Sequence, residues 1–513
     1  MERFLERHKD AVIGVLSGFD RVLFRGTLRS ISYVNGMEIF LSSQKVLLKN
    51  FSDYAQRLTK ELVANAERYA VKAGRPFIYM KSSRASKEEL VKEMIERDQI
   101  KEGLVCVLKC VEPCRTWTVR GDGASKHLGL RKEERKCLFL YFYFLDPQFG
   151  LLHVRLQSWF PFDIQICLNG REYLGRQMRR EGIDHVKVDN CFTRIDNLKR
   201  AQELLNRLET YPWAGFLNRF VKVVNPLMTP KAGLKLKGYY WSIRQCEYAT
   251  DVMFHDSAGL SAIYPTLTNH AISSFGSDDV LRFLGRRTNS RFPGRVESNL
   301  TRRIEGVRVK HWVEENSIKM YDKAESVLRI ETTINNPRRF QVRRKARRKG
   351  RQVKAWLPMR KGIADTKRRV ELCRAINSRY LNALSVIGTD QPSYRLMDSV
   401  SKRLCKDGRC YRALRPISPE DSRVFQVMMR GEFLLQGFRN GDLRAGLQTR
   451  VEADPERLRK DSQRITRLLR LWTAHGLIYR VVHTNYYRIT WRGRQIMATA
   501  LEFRRTTTVL LAA

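Results

Sequence analysis

The chain has 513 residues, with 96 Lys plus Arg against 53 Asp plus Glu, a formal net charge of +43. Its 43% hydrophobic and 10% aromatic content excludes a wholly disordered chain, and its length allows about three domains, each able to bury a core. Self-repulsion at this charge calls for a polyanionic partner, nucleic acid first and an anionic membrane surface second; the bland alternative is a chain that simply uses Arg freely.

Over residues 1–235 the pattern reads as an α/β domain. Phe19 to Phe24 is a short strand ending at Gly26, and residues 51–73 carry helical periodicity through Phe51, Tyr54, Leu58, Leu62 and Ala66. Pro76–Met80 is a strand, Ser86–Arg97 a helix opened by the capping box Ser86-Lys87-Glu88-Glu89, and Leu104–Leu108 a strand. A hairpin follows: Cys137–Phe144, the turn Asp146–Gly150, and Leu151–Gln157, with His153, Arg155 and Gln157 on one face of the return strand. Helices are expected over Gly170–Glu181 and from Leu198 to near Glu209. The aromatic segment Gln157–Phe162 either stacks on unpaired bases or is core.

Residues 236–390 read as a basic α+β domain. It opens on Tyr239-Tyr240-Trp241, continues through helices near 257–264 and 277–285, and contains an antiparallel meander of Gly306–Val313, Ser317–Lys323 and Val327–Ile334. Residues 338–354 then hold ten Lys or Arg and no acid, including Arg343-Arg344-Lys345 and Arg347-Arg348-Lys349. Such a run is either a solvated loop or an arm that contacts phosphates, ordered on binding; the second reading is preferred. A helix from Thr366 to Leu384 leads to a polar linker, 391–416.

Residues 417–513 carry the clearest local pattern. Ser418-Pro419-Glu420 starts a helix, Asn440-Gly441-Asp442 a second, and Pro455–His475 a third whose apolar face includes Ile465, Leu469 and Trp472. Its other face is basic, with Arg464, Arg467 and Arg470. Gly476 stops it, and Leu477–Val482 and Tyr486–Thr490 form a hairpin carrying Arg488. Three helices followed by a two-stranded wing resemble a winged-helix domain. That resemblance implies a third helix in a DNA groove and Arg488 on phosphates, or a winged helix used for protein contacts.

The meander carries the candidate chemistry. Lys319, Tyr321 and Lys323 alternate onto one face of the middle strand, Arg329 and Glu331 onto one face of the third, and antiparallel pairing can bring Tyr321 and Lys323 close to Glu331. A Tyr can attack a phosphodiester, a base can neutralise it, and a carboxylate can hold a divalent ion. Lys319–Lys323 followed by Leu328–Glu331 resembles a strand pair of rolling-circle replication initiators of phage and plasmid type. That likeness implies Tyr321 as nucleophile, Lys323 and Arg329 as phosphate clamps, and Mg²⁺ or Mn²⁺ on Glu331 and His311. The family's His-hydrophobic-His metal pair does not occur in this chain; His153-Val154-Arg155 departs from it. The same strands also suit a basic sheet face that grips phosphates without cutting. Tyr173 with Arg176 is a second Tyr–base pair, and Asp20, Asp163, Glu172 and Asp189 are a scattered acidic set of the kind that holds two metals.

The fold expected is therefore multidomain α+β: an N-terminal α/β domain, a central antiparallel-sheet domain and a C-terminal winged helix. The function expected is a nucleic-acid-binding protein of mobile-element type, in its enzymatic version a metal-dependent endonuclease or transposase-like strand transferase. The alternative is a non-catalytic binder of structured RNA, and a third reading is a ligand-sensing transcription regulator. The start Met1-Glu2-Arg3-Phe4 lacks a secretory pattern, and no run approaches the ~18 apolar residues of a membrane span, so a cytoplasmic chain with no membrane partner is expected. Of the ten cysteines, the tightest group, Cys106, Cys110 and Cys114, reads as buried free thiols in preference to a metal site, and Cys405 and Cys410 flank a turn.

Overall fold

The computed structural model describes all residues except 122–126, 274, 286–294, 304–305, 349–350, 386–392, 407, 430–432, 434–436, 448–454, 483 and 506–513. They divide into a first unit of residues 1–265, 300–310 and 315–382, and a second of 266–299, 311–314 and 383–513. The fold is mixed α/β, with one large mixed sheet and several two-stranded ones.

The strands in chain order are β1 (Val12–Thr27), β2 (Phe77–Met80), β3 (Gly103–Gly121), β4 (Leu128–Asp146), β5 (Gly150–Gln157), β6 (Ile164–Asn169), β7 (His185–Val188), β8 (Cys191–Ile195), β9 (Tyr240–Phe254), β10 (Val296–Arg303), β11 (Gly306–Val313), β12 (Asn316–Lys323) and β13 (Val327–Ile334). Eleven of them form one sheet in the order β10-β11-β12-β13-β9-β1-β6-β5-β4-β3-β2, with β7 and β8 a separate hairpin. The expected boundary at residue 235 does not exist in this sheet. β9 pairs along β1 on one side and β13 on the other, so the meander continues the N-terminal sheet instead of founding a central domain.

Several strands run far past their expected ends. β1 has 16 residues, and β3 and β4 have 19 each. The outer part of the β3–β4 ribbon is charged, with Arg120 paired to Glu133, so hydrophobic alternation does not mark it. Its anchor is Trp117, buried, whose indole N–H donates to the Ile31 carbonyl at 2.8 Å.

Helices cover the sheet. The helix Leu198–Asn206 lies so near β1 that Gly18 is required: a Cβ there would collide with the side chain of Leu205. The helix Thr366–Leu384 sends buried Asn377 against β9 and β13, where its amide donates to the carbonyls of Tyr248 and Ile330 at 3.2 and 3.1 Å. Thr332 donates to Asn377 at 2.6 Å. Strand alternation then turns Arg329 and Glu331, one residue out of phase with Thr332, to the other face.

In the second unit, Ser418 caps a helix over Pro419–Met428, followed by helices over Asn440–Leu447 and Pro455–Ala474. Gly476, at φ +73, ends the third helix, and the Leu477 N–H reaches back to the Trp472 carbonyl. Strands Ile478–Arg480 and Tyr487–Ile489 pair, Phe438 bridges to Tyr487, and a helix over Trp491–Arg505 closes the chain's described part. Phe425, Met428, Leu469, Trp472, Leu477 and Met497 form its core. The expected linker holds a helix, Ser393–Asp398, and a small hairpin in which Cys405 and Cys410 are joined in a disulfide.

Candidate functional site

Two places in the first unit concentrate chemistry. The first is a cavity of about 460 Å³ lined by β1, β5, β6, β12 and β13 residues and by the Asp189-Asn190 turn of the β7–β8 hairpin. Its floor is an ion cluster. β13 pairs with β9 so that Arg329 stands opposite Asp251. The guanidinium grips that carboxylate with two bonds, Nε–Oδ1 2.6 Å and Nη2–Oδ2 2.9 Å. Its Nη1 also reaches Asp20 Oδ2 at 3.2 Å, and its Nη2 the Asn190 carbonyl at 2.8 Å.

Local sequence explains how these groups arrive. Asp189 adopts φ +53, which a short polar side chain tolerates, and the resulting turn aims Asn190 inward so that its amide donates to both Asp20 oxygens. Asn169 caps the helix Gly170–Arg180 by accepting from the N–H groups of Arg171 and Glu172, which sets Arg171 in the first turn. From there Arg171, fully buried, reaches Asp251 Oδ2 at 2.9 Å.

Above this floor lies a second cluster. Lys319 stands opposite Glu331 in the β12–β13 register, and Tyr321 opposite Arg329. Lys319 Nζ donates to Glu331 Oε1 at 2.5 Å and Tyr321 Oη to Oε2 at 2.7 Å, so one carboxylate is held at both oxygens. Lys323 turns to Asp189 at 2.7 Å.

The titration directions diverge within a few residues. Burial pushes the Glu331 carboxyl up, but Lys319 and the two hydrogen bonds prevail and hold it below the usual range. Burial raises Glu247, reinforced by Glu331, and it also raises Asp20 against the pull of Arg329. Burial, then Glu331, drives the Tyr321 phenol well above its ordinary value, so at neutral pH it is a hydrogen-bond donor. Carboxyls pushed apart in this way offer a proton acceptor beside proton donors.

The expected roles need correction. Arg329 is no phosphate clamp, because it is fully buried and engaged by Asp251, Asp20 and Asn190. Nor does the Mg²⁺ or Mn²⁺ site on Glu331 and His311 fit. Both Glu331 oxygens are taken by Lys319 and Tyr321, and His311 is one residue out of phase with Arg308 and Lys310, hence on the other face of β11. There it is buried, with Nδ1 2.7 Å from Ser298 Oγ. Among the described residues no group of three or more His, Cys, Asp or Glu is arranged to hold a metal. Of the scattered acids, Asp20, Glu172 and Asp189 do line one cavity, whereas Asp163 is tied to Arg25. Tyr173 is core, packed on Phe149, and so are Phe160 and Phe162. Asp251, Asn190 and Glu247 were not singled out from the sequence.

The second place is the basic run. It is not a loop: Gln341–Arg348 and Arg351–Pro358, β14 and β15, form an antiparallel ribbon. Arg343 stands opposite Trp356, Lys345 opposite Lys354 and Arg347 opposite Gln352, all on one face. Arg343, Lys345, Arg347 and Lys354 are exposed, and Trp356 is 66% exposed. Arg344 is a correction: it points to the other face, donates to the Pro358 carbonyl at 3.1 Å and lies 3.7 Å from Asp365. Lys349 lies outside the described residues, as does the side chain of Arg348.

In the second unit Arg464, Arg467 and Arg470 are exposed on the third helix. Arg488 is a correction too, since it is largely buried and paired with Asp278 instead of being presented to solvent. Among the described residues no helix is long and apolar enough to cross a membrane. Comparison with protein families, curated proteins and solved structures finds no match to this chain.

Proposed function

We propose that the chain binds nucleic acid, and that the β14–β15 ribbon is a principal contact. The single observation that carries this is the ribbon's outward face, which sets Arg343, Lys345 and Lys354 around an exposed Trp356 without an acid among them. A two-stranded ribbon has the width to enter a groove, and Lys and Arg release counterions from phosphates. The exposed Arg464, Arg467 and Arg470 on the third C-terminal helix support a second contact, and the helix–helix–helix–strand-pair order there supports the winged-helix reading. Replacing Arg343, Lys345 and Lys354 together with Gln is expected to weaken binding roughly tenfold to hundredfold near 100 mM salt and to flatten the log–log salt dependence by about 2–3. Fluorescence anisotropy with labelled strands measures both; an unchanged slope removes the ribbon from the interface.

A second reading, strand cleavage in the cavity, is favoured by one contact: Tyr321 Oη on Glu331 Oε2 at 2.7 Å. In that reading the phenol oxygen attacks a phosphodiester phosphorus as its proton passes to Glu331. The leaving sugar oxygen takes a proton from Glu247 or Asp20, whose carboxyls burial pushes upward. Wild-type protein incubated with single-stranded DNA, duplex DNA or RNA should then give a covalent adduct on a denaturing gel, and Tyr321→Phe should give none while binding unchanged. An adduct that persists in Tyr321→Phe removes Tyr321 from the chemistry, and no adduct from wild type leaves binding alone.

A further inference from the structure

We infer that the β14–β15 ribbon takes an unpaired nucleic-acid strand, with Trp356 as the platform on which a base stacks; this rests on the nucleic-acid reading above and narrows it. An indole normally loses most of its exposure on folding, because its large apolar surface favours burial. Trp356 instead keeps 66% of its surface in solvent, in the middle of a regular strand. Its directly opposite neighbour is Arg343, and the next pair on the same face is Lys345 with Lys354.

Cations thus recur at every second residue of β14, at Arg343, Lys345 and Arg347, and Lys354 stands two residues from Trp356 on β15, a spacing of about 6.8 Å along a strand. That is the alternation a single strand presents, a phosphate beside each base. A base in a duplex is covered on both faces by its neighbours and offers only its edge, to which an indole has one N–H to give. A base in an unpaired strand offers its whole face, and every base has one, so such a site accepts sequence broadly. Arg343 beside the indole and the Lys345–Lys354 pair next to it then hold phosphates on one side of the stacked base.

The test uses the full chain with labelled dT20, rU20 and a 20-base-pair duplex, titrated at several salt concentrations. Wild type is expected to prefer an unpaired strand, the tighter of dT20 and rU20 identifying the sugar. Trp356→Ala should lose roughly tenfold on that strand with the salt slope unchanged, lose nothing on the duplex, and be largely restored by Trp356→Phe. The charge variant Arg343→Gln/Lys345→Gln/Lys354→Gln should flatten the slope on every ligand. If Trp356→Ala binds all three as wild type does while the charge variant fails, the ribbon grips phosphates only and the stacking site is overturned, though nucleic-acid binding stands. Equal loss on duplex and single strand overturns it as well. If the charge variant also binds as wild type, the nucleic-acid reading of the ribbon itself falls. Circular dichroism matching wild type shows that the exposed substitutions leave the fold in place.

Discussion

Replacing Arg329 with Leu is expected to destabilise the first unit by about 3–5 kcal/mol, the usual cost of leaving a buried charge without its partner. Arg329 has no solvent exposure, and it supplies two bonds to Asp251 and one to Asp20. Without it, among the described residues, Asp251 is left to Arg171 and Asp20 to the Asn190 amide. Lys is not a rescue, because a single ammonium cannot reproduce a fork that meets two carboxylates and a carbonyl at once. Tyr321→Phe is the natural control: it removes one hydrogen bond to Glu331 and should cost about 1 kcal/mol. Urea unfolding of both variants gives the comparison. An Arg329→Leu midpoint equal to wild type would show that the cluster contributes nothing to the fold and would reopen Arg329 as a ligand-facing group.

How far such a cluster could be read from sequence depends on the range of the interactions. The meander was legible because its three strands follow one another with short turns and clear alternation, and the β12–β13 register then brought Tyr321 and Lys319 to Glu331. The partners of Arg329 come from β1, β9 and the β7–β8 turn, up to 309 positions away. No local periodicity encodes that pairing. The same gap produced the false boundary at residue 235, since Tyr239-Tyr240-Trp241 marks a strand start but not the strand it joins. His311 failed for a local reason that could have been seen: odd and even positions of β11 face opposite ways, and Arg308 and Lys310 already occupy the even side. The basic run was read as a phosphate-contacting arm without its strands because charge density hid a two-residue alternation. Val342, Arg344, Ala346 against Arg343, Lys345, Arg347 is a strand pattern, and Trp356 with Lys354 continues it on the returning strand. In the C-terminal segment the helices and strand pair lie close to where capping, amphipathicity and Gly476 put them, because every signal there is local.

Acid should weaken the fold through two histidines. Burial lowers His311 from 6.5 to about 4, and burial with nearby Arg21 and Arg155 lowers His153 to about 4. Between those values the unfolded chain binds a proton that the folded chain refuses, so stability rises with pH and falls as pH drops through 6.5 toward 4. The shift amounts to roughly 3 kcal/mol for His311, and to less for His153, a residue that is half-buried. Glu331 and Asp251, both held low, add loss of the same sign at still lower pH, when their folded forms are forced to protonate. Asp20 and Glu247 act oppositely: held high, they favour the fold below their unfolded values and disfavour it as pH rises through their folded ones, which softens the descent. Thermal unfolding at pH 7, 5.5 and 4.5 should show midpoints falling steadily, and His311→Gln should flatten the fall for the transition of the second unit. Midpoints that stay level across this range, or a His311→Gln curve parallel to wild type, would mean that His311 takes up its proton in the folded chain as readily as in water, and that its burial against Ser298 does not exclude the charged ring.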